Sequence, residues 1–164
     1  MWPQLRAAYN YARWLVRNNH DAEDVVQESF LKAYKAIDTF RGNDARSWML
    51  AIVRNTAMNL LRRRRADVGI EWNERQAEPI DGAADPERAL LEQSRREQLQ
   101  GAVARLEPEF REVLVLREIE DLSYKEIAAV LNIPTGTVMS RLSRARQKLL
   151  AELIPFQEAR HDLP

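Results

Sequence analysis

The sequence predicts an all-α protein of two small helical domains joined by an acidic flexible linker. Three observations carry this expectation. Apolar residues recur at spacings of three and four along most of the chain, and no stretch makes a convincing strand. Helix-opening residues stand ahead of several of these runs. Between residues 66 and 84 the periodicity fades into an acidic stretch with Pro79 and Gly82, too weakly patterned to bury a face. A length of 164 residues suits two small domains and excludes a large multidomain enzyme.

The first helix covers residues 3–18, with Leu5, Ala8, Tyr9, Ala12, Leu15 and Val16 at helical spacing, until Asn18-Asn19-His20 breaks the pattern. Asp21 is the expected N-cap of the second, whose apolar face is Ala22, Val25, Val26, Phe30, Ala33, Tyr34 and Ile37. Turn chemistry at Phe40-Arg41-Gly42-Asn43-Asp44 leads into a third helix, with Met49, Leu50, Val53, Ala57, Leu60 and Leu61 on one side and an arginine run at its end. These three helices share a core and make the first domain, residues 1–65; residues 66–84 are the linker.

Asp85-Pro86-Glu87 supplies an N-cap, a proline in the first turn and an acid, opening a helix with Leu90, Leu91, Leu99, Val103 and Leu106 as core candidates. Pro108 opens the next, with Phe110, Val113, Leu114 and Leu116. Ser123 with Glu126 three residues later is a capping box ahead of Ile127, Ala128 and Leu131. After the turn Asn132-Ile133-Pro134, a helix over 135–150 buries Val138, Leu142, Ala145 and Leu149. The second domain spans residues 85–152, and residues 153–164 are a tail. The helices at 123–131 and 135–150, joined by a short turn, have the proportions of a helix-turn-helix, whose second helix enters the DNA major groove.

Composition narrows the chemistry. There is no Cys, so disulfides, thiolate metal sites and a cysteine nucleophile are excluded, and two His far apart leave little for zinc. No metal, cofactor or small-molecule substrate is expected, nor is an enzyme, since no nucleophile stands beside a plausible base. No apolar run nears the ~20 residues of a bilayer span, and the first residues lack the charged-then-apolar order of a signal peptide. A cytoplasmic location follows as the expectation.

A formal net charge of zero hides a division along the chain. Residues 1–65 carry 12 Lys+Arg against 6 Asp+Glu, residues 66–98 carry 4 against 9, and residues 99–164 carry 9 against 10. Residues 54–65 hold Arg54 and the run Arg62–Arg65 with no acid; residues 135–149 hold Arg141, Arg144, Arg146 and Lys148 with none. Two basic patches separated by an acidic segment suit two contacts with a polyanion; solvated helix ends are the plainer alternative.

Projection at about 100° per residue sorts the polar faces. On the last helix Gly136, Thr137, Ser140, Ser143, Arg144 and Gln147 lie opposite the buried side, flanked by Arg141 and Lys148. Short polar groups permit close approach to a duplex, with Arg and Gln reading base edges and cations binding phosphates. The third helix presents Trp48, Ile52, Asn55, Asn59, Arg62 and Arg63 in one stripe. An indole to stack on, amides for a base edge and arginines for phosphates suit unstacked nucleic acid, although Trp48 and Ile52 equally suit packing on the first helix. The second helix exposes Asp24, Gln27, Glu28, Leu31 and Lys35, a set fitting protein docking more than nucleic acid.

In order and separation, Asp21-Ala-Glu-Asp-Val-Val-Gln-Glu-Ser-Phe30, Phe40-Arg-Gly42, Trp48, Arg54-Asn-Thr-Ala57, Leu122-Ser-Tyr-Lys-Glu-Ile-Ala128 and Gly136-Thr-Val-Met-Ser-Arg-Leu-Ser-Arg-Ala-Arg146 resemble the extracytoplasmic-function (ECF, group 4) sigma factors of bacterial RNA polymerase. The resemblance implies that residues 1–65 are sigma region 2, which melts and reads the promoter −10 element, and residues 85–152 are region 4, which reads the −35 element. It implies core polymerase docking through Asp24, Gln27, Glu28, Leu31 and Lys35 on the β′ clamp helices, with the β flap as a second contact. It places the loop Phe40–Ala45, with Phe40, Arg41, Gly42 and Asn43, together with Asn55 at a pocket for a flipped −10 base, has Trp48 and Asn59 beside it, and adds Arg62 and Arg63 to the −10 contacts. It assigns −35 contacts to Thr137, Ser140, Arg141, Ser143, Arg144, Gln147 and Lys148, and implies an anti-sigma partner that holds such proteins at the membrane in some cases. The expected function is promoter-specific transcription initiation in response to stress. The alternatives are a sigma-like mimic that sequesters an anti-sigma factor, and a helix-turn-helix regulator acting without polymerase.

Overall fold

The structure, a computed structural model, describes residues 3–67 and 86–161, with side chains as far as Pro155. Seven α-helices run in chain order among the described residues, and no strand occurs there. The first unit consists of Pro3–Val16 (α1), Asn19–Ala36 (α2) with a short 3₁₀ turn Ile37–Thr39, and Ala45–Asp67 (α3). The second consists of Pro86–Arg105 (α4), Pro108–Leu114 (α5), Tyr124–Leu131 (α6) and Thr135–His161 (α7). Most of the expected linker, residues 68–84, lies outside the described residues, as does the cap residue Asp85.

α1, α2 and α3 pack on one another because each offers a narrow stripe of small or branched residues. Ala8, Ala12, Ala22, Val53 and Ala57 are wholly enclosed, and their small size lets the backbones approach closely. Tyr11, absent from the expected core, is fully buried as well.

The entry to α2 differs from expectation. Asn18 caps it, in extended geometry (φ −145°, ψ 130°), its side chain accepting from the Asp21 backbone N–H at 3.1 Å. Asp21 instead sits in the first turn, buried, and takes both Nη groups of Arg64. The break between α1 and α2 shrinks to Arg17 and Asn18, with Arg17 turning the chain at φ 58°.

In the second unit α5 runs into a π-helical turn, Val115–Ile119, with Glu120 N–H donating to the Val115 carbonyl at 3.0 Å. The wider turn carries the chain across the top of a core of Phe110, Val113, Leu116, Leu122, Ile127, Val138 and Leu142. The capping box at α6 is formed in both directions: Glu126 N–H donates to Ser123 Oγ at 3.1 Å, and Ser123 N–H to Glu126 Oε2 at 2.5 Å. Ser123→Ala should therefore cost about 1 kcal/mol and lower the melting temperature by about 3 °C in a thermal scan of the whole chain. The turn to α7 is made by Asn132 in the left-handed conformation (φ 53°, ψ 50°), which Asn tolerates better than most residues.

Five residues placed in the core stand in solvent. Tyr34 is 79% exposed and Ile37 57%, both at the end of α2; Leu90, Leu91 and Leu99 lie exposed on α4, which is buried only at Ala102 and Val103. The apolar spacing was real, but no part of the described chain covers those turns. α7 also runs past its expected end at 150 to His161, with Pro155 inside it, because Ala151-Glu152-Leu153 favour helix; residues 153–161 of the expected tail continue that helix. No described helix is long and apolar enough to cross a membrane.

The two units pack against each other, α3 lying along α6 and α1 meeting the π-helical turn. Buried charge joins them. Glu112, 7% exposed, receives the Tyr11 hydroxyl at 2.9 Å and Arg54 Nε and Nη2 at 2.6 and 3.2 Å. Burial, together with the Glu112 carboxylate, pushes the Tyr11 phenol well above its ordinary range. Arg46 Nη2 donates to the Glu120 carbonyl at 2.6 Å and to Glu120 Oε2 at 3.1 Å.

Candidate nucleic-acid interface

Three surfaces come from three helices. On α3 the loop before the helix is fixed first: Asp44 Oδ1 accepts the Ser47 N–H at 3.0 Å and the Asp44 carbonyl accepts that of Trp48 at 3.2 Å, closing the N-terminus. The Phe40 ring then lies 4.8 Å from that of Trp48, tilted by 37°, pinning the loop to the helix. A side chain on Gly42 would meet the Phe40 ring at 3.2 Å, so any larger residue there would push the ring by a few tenths of an ångström.

Trp48 and Ile52 are half-buried and pack on the core, as the packing alternative expects, while part of each stays at the surface. Trp48 offers a stacking surface as one of a ring pair rather than as a lone indole. Asn55, two turns further along, is exposed; Asn59 is half-buried and Arg62 and Arg63 are exposed beyond it. The arginine run divides as the helical repeat demands. Arg62 and Arg63 face solvent, whereas Arg64 is held by Asp21. Arg41 and Asn43 stand exposed in the loop. The loop and α3 thus carry an aromatic pair, two amides and two outward cations, the helical part of the stripe running along about 20 Å.

On α7, Ser140, Ser143, Arg144 and Gln147 are exposed, Thr137 half-buried, and the space a side chain on Gly136 would fill is open. The surface is therefore shallow and polar, with Arg144 projecting from its middle. The flanking cations are held back by acids of the same unit. Arg141 is 3.6 Å from Glu109, Arg146 2.8 Å from Glu118, and Lys148 2.7 Å from Glu107 while also lying over the Phe110 ring. Lys148 keeps the Glu107 carboxyl below the usual range for glutamate.

On α2, Asp24, Gln27, Leu31 and Lys35 are exposed, and Glu28 is half-buried with Lys32 2.7 Å away. Leu31, Tyr34 and Ile37 together make this end of the helix more apolar than the sequence pattern suggested. A polar rim around large uncovered apolar groups is a protein-binding surface in character. Among the described residues no three His, Asp or Glu gather as a metal site.

Comparison with known proteins finds two family matches, one in each unit. The sigma-70 region 2 family matches residues 4–66 and the sigma-70 region 4 family residues 96–149. Over 144 residues the chain is 39% identical to the ECF RNA polymerase sigma-E factor of Salmonella typhimurium, covering 83% of this chain and 75% of that protein. The chain belongs to the ECF sigma factors. It is also 39% identical over 153 residues to the RNA polymerase sigma-H factor of Pseudomonas aeruginosa, covering 87% and 79% of the two chains. The structure of the sigma factor RpoE from Bartonella quintana, in complex with the anti-sigma factor NepR, superposes with a TM-score of 0.76 at 28% identity, over 92% of this chain and 91% of that one. In this ECF sigma factor the region 2 match contains α2 and nearly all of α1 and α3, and the region 4 match begins inside α4 and contains α6 and α7 as far as Leu149. Reading the sequence of this sigma factor missed Tyr11, Arg46, Glu112 and Glu120. An acid or phenol among apolar neighbours is a weak signal, and none of them names its partner until the chain has folded.

Proposed function

We propose that this ECF sigma factor, of group 4, binds bacterial core polymerase through the α2 surface on the β′ clamp helices, with its second unit against the β flap, and directs it to promoters. Residues 1–65 act as region 2, residues 66–84 as the connection and residues 85–152 as region 4. In region 2 the Phe40–Asn43 loop and Asn55 hold a flipped base of the −10 element, with Trp48, Asn59, Arg62 and Arg63 alongside. In region 4, Thr137, Ser140, Ser143, Arg144 and Gln147 read the −35 element, and Arg141 and Lys148 reach phosphate once they leave their acidic partners. Polymerase does the chemistry; the sigma factor acts in the cytoplasm and answers to an anti-sigma protein.

The observation that carries this reading is the presence, on one chain, of two surfaces suited to DNA in different forms and a third suited to protein. An operator-binding regulator has no use for the uncovered Leu31, Tyr34 and Ile37, and a mimic has no use for the outward Arg62, Arg63 and Arg144. The test is transcription of fragmented genomic DNA by purified core polymerase with and without the protein, mapping transcript starts. Starts that depend on the protein and share −35 and −10 sequences are expected; their absence despite co-elution with core would point to an inhibitor.

Docking has its own test. Leu31→Glu should weaken association with core polymerase at least about tenfold, since it forfeits the burial of a leucine and asks a charge to lose water. Fluorescence anisotropy with labelled protein measures this, and unchanged affinity would remove Leu31 from the contact.

A further inference from the structure

We infer that Asp21 is a positioning residue for promoter contact: by seating Arg64 it pins the last turns of α3 to the start of α2, and so fixes where Arg62 and Arg63 point. The inference deepens the −10 assignment of the α3 stripe and rests on it.

Four arginines in succession cannot share one face of a helix. At about 100° per residue the run Arg62–Arg65 goes most of the way round, and Arg64 stands about 150° from the centre of the stripe that begins at Trp48. Only Arg62 and Arg63 flank that stripe. Arg64 turns the other way, to α2, where both its Nη groups meet the Asp21 carboxylate. Asp21 therefore lies on the side of α3 away from the stripe and acts on it only through this arginine.

The end of α3 needs such a fastening. Its last fully buried residue is Ala57, and residues 62–67 are all exposed, so no buried apolar side chain holds the final turns. Neighbouring cations there repel one another, and helix ends fray. Asp21 supplies the anchor. Its side chain is 4% exposed against 53% for Arg64, so the acid is the fixed half of the pair and the arginine is brought to it. A carboxylate so enclosed is costly without a cation, which makes the tie firm. The first turn of α2 also favours an acid at this position, and Asn18, having taken the cap, leaves the carboxylate to its distant partner.

The sign of one substitution tests this. Asp21→Asn removes an acid and releases a cation, which by charge alone would strengthen DNA binding, whereas loss of aim weakens it. Holoenzyme assembled from core polymerase and the full chain is titrated with labelled promoter DNA whose −10 segment is single-stranded, over a series of KCl concentrations. Asp21→Asn is expected to weaken binding about three- to tenfold and to flatten the slope of log K against log [KCl] by about 0.7 to 1.4, the share of one or two single-strand phosphates. Arg64→Ala should behave alike, and the double variant Asp21→Asn/Arg64→Ala should be no worse than either. Arg64→Lys, which keeps a cation before Asp21, should recover most of the loss. Core affinity and helix content should stay at wild-type values. Tighter DNA binding by Asp21→Asn, an unchanged salt slope, or a fall in core affinity equal to that in DNA affinity would each overturn the inference. A double variant Arg62→Ala/Arg63→Ala that keeps the wild-type slope would instead remove the −10 assignment of the stripe, whatever Asp21→Asn does.

Discussion

Arg144→Ala is expected to reduce transcription from promoters that depend on a −35 element by about ten- to a hundredfold while leaving association with core polymerase unchanged. The size follows from what a well-placed arginine contributes at a base edge, about 1–3 kcal/mol. Arg144 is the residue of choice because it stands exposed at the centre of the outward face of α7, with the small Ser140 and Ser143 and the amide of Gln147 exposed around it. Run-off transcription on paired templates, with and without a −35 element, separates loss of reading from loss of binding. A parallel fall in core affinity would place Arg144 in a protein contact instead.

Asn55→Ala is expected to slow open-complex formation by about tenfold or more at every promoter the protein serves, with −35 recognition intact. Extruding a base costs a few kcal/mol, and a buried edge left without its amide partner adds about 1–3 kcal/mol to that barrier. Permanganate reactivity of −10 thymines reports the melted state directly. Trp48→Ala should act in the same direction but with a wider effect, because it removes the ring against which Phe40 rests and so loosens the loop as well as the surface. Normal opening by Asn55→Ala would take the amide out of the pocket, whereas a defect confined to Trp48→Ala would assign the work to stacking.

Local chemistry was readable in the sequence wherever the decisive partners are near neighbours in the chain. Ser123 and Glu126 announce their capping box because both lie within one turn, and the α3 stripe follows from the helical repeat alone. Two kinds of feature were not legible. Asp21 has the chemistry of an N-cap, but its carboxylate is taken by Arg64, 43 residues away, which leaves the cap to Asn18. Apolar spacing shows that a face is suited to cover without saying what covers it. Tyr34 and Ile37, and on α4 Leu90 and Leu91, have the pattern of core residues and lie in solvent. The pairing of Glu112 with Arg54 spans 58 residues and depends wholly on how the units meet.

The internal partners of Arg141, Arg146 and Lys148 bear on how the protein searches a genome. A cation already seated on a glutamate gains less from a random phosphate than a bare one, since each encounter exchanges one anion for another. With no net charge on the whole chain, residence on arbitrary duplex should be brief, and its dependence on ionic strength shallower than a count of basic residues suggests. Against the million or more competing sites of a chromosome, short stops shorten the hunt and leave more of the protein free. If α7 reads the −35 element as proposed, the three glutamates beside it are expected to trade adhesion for mobility.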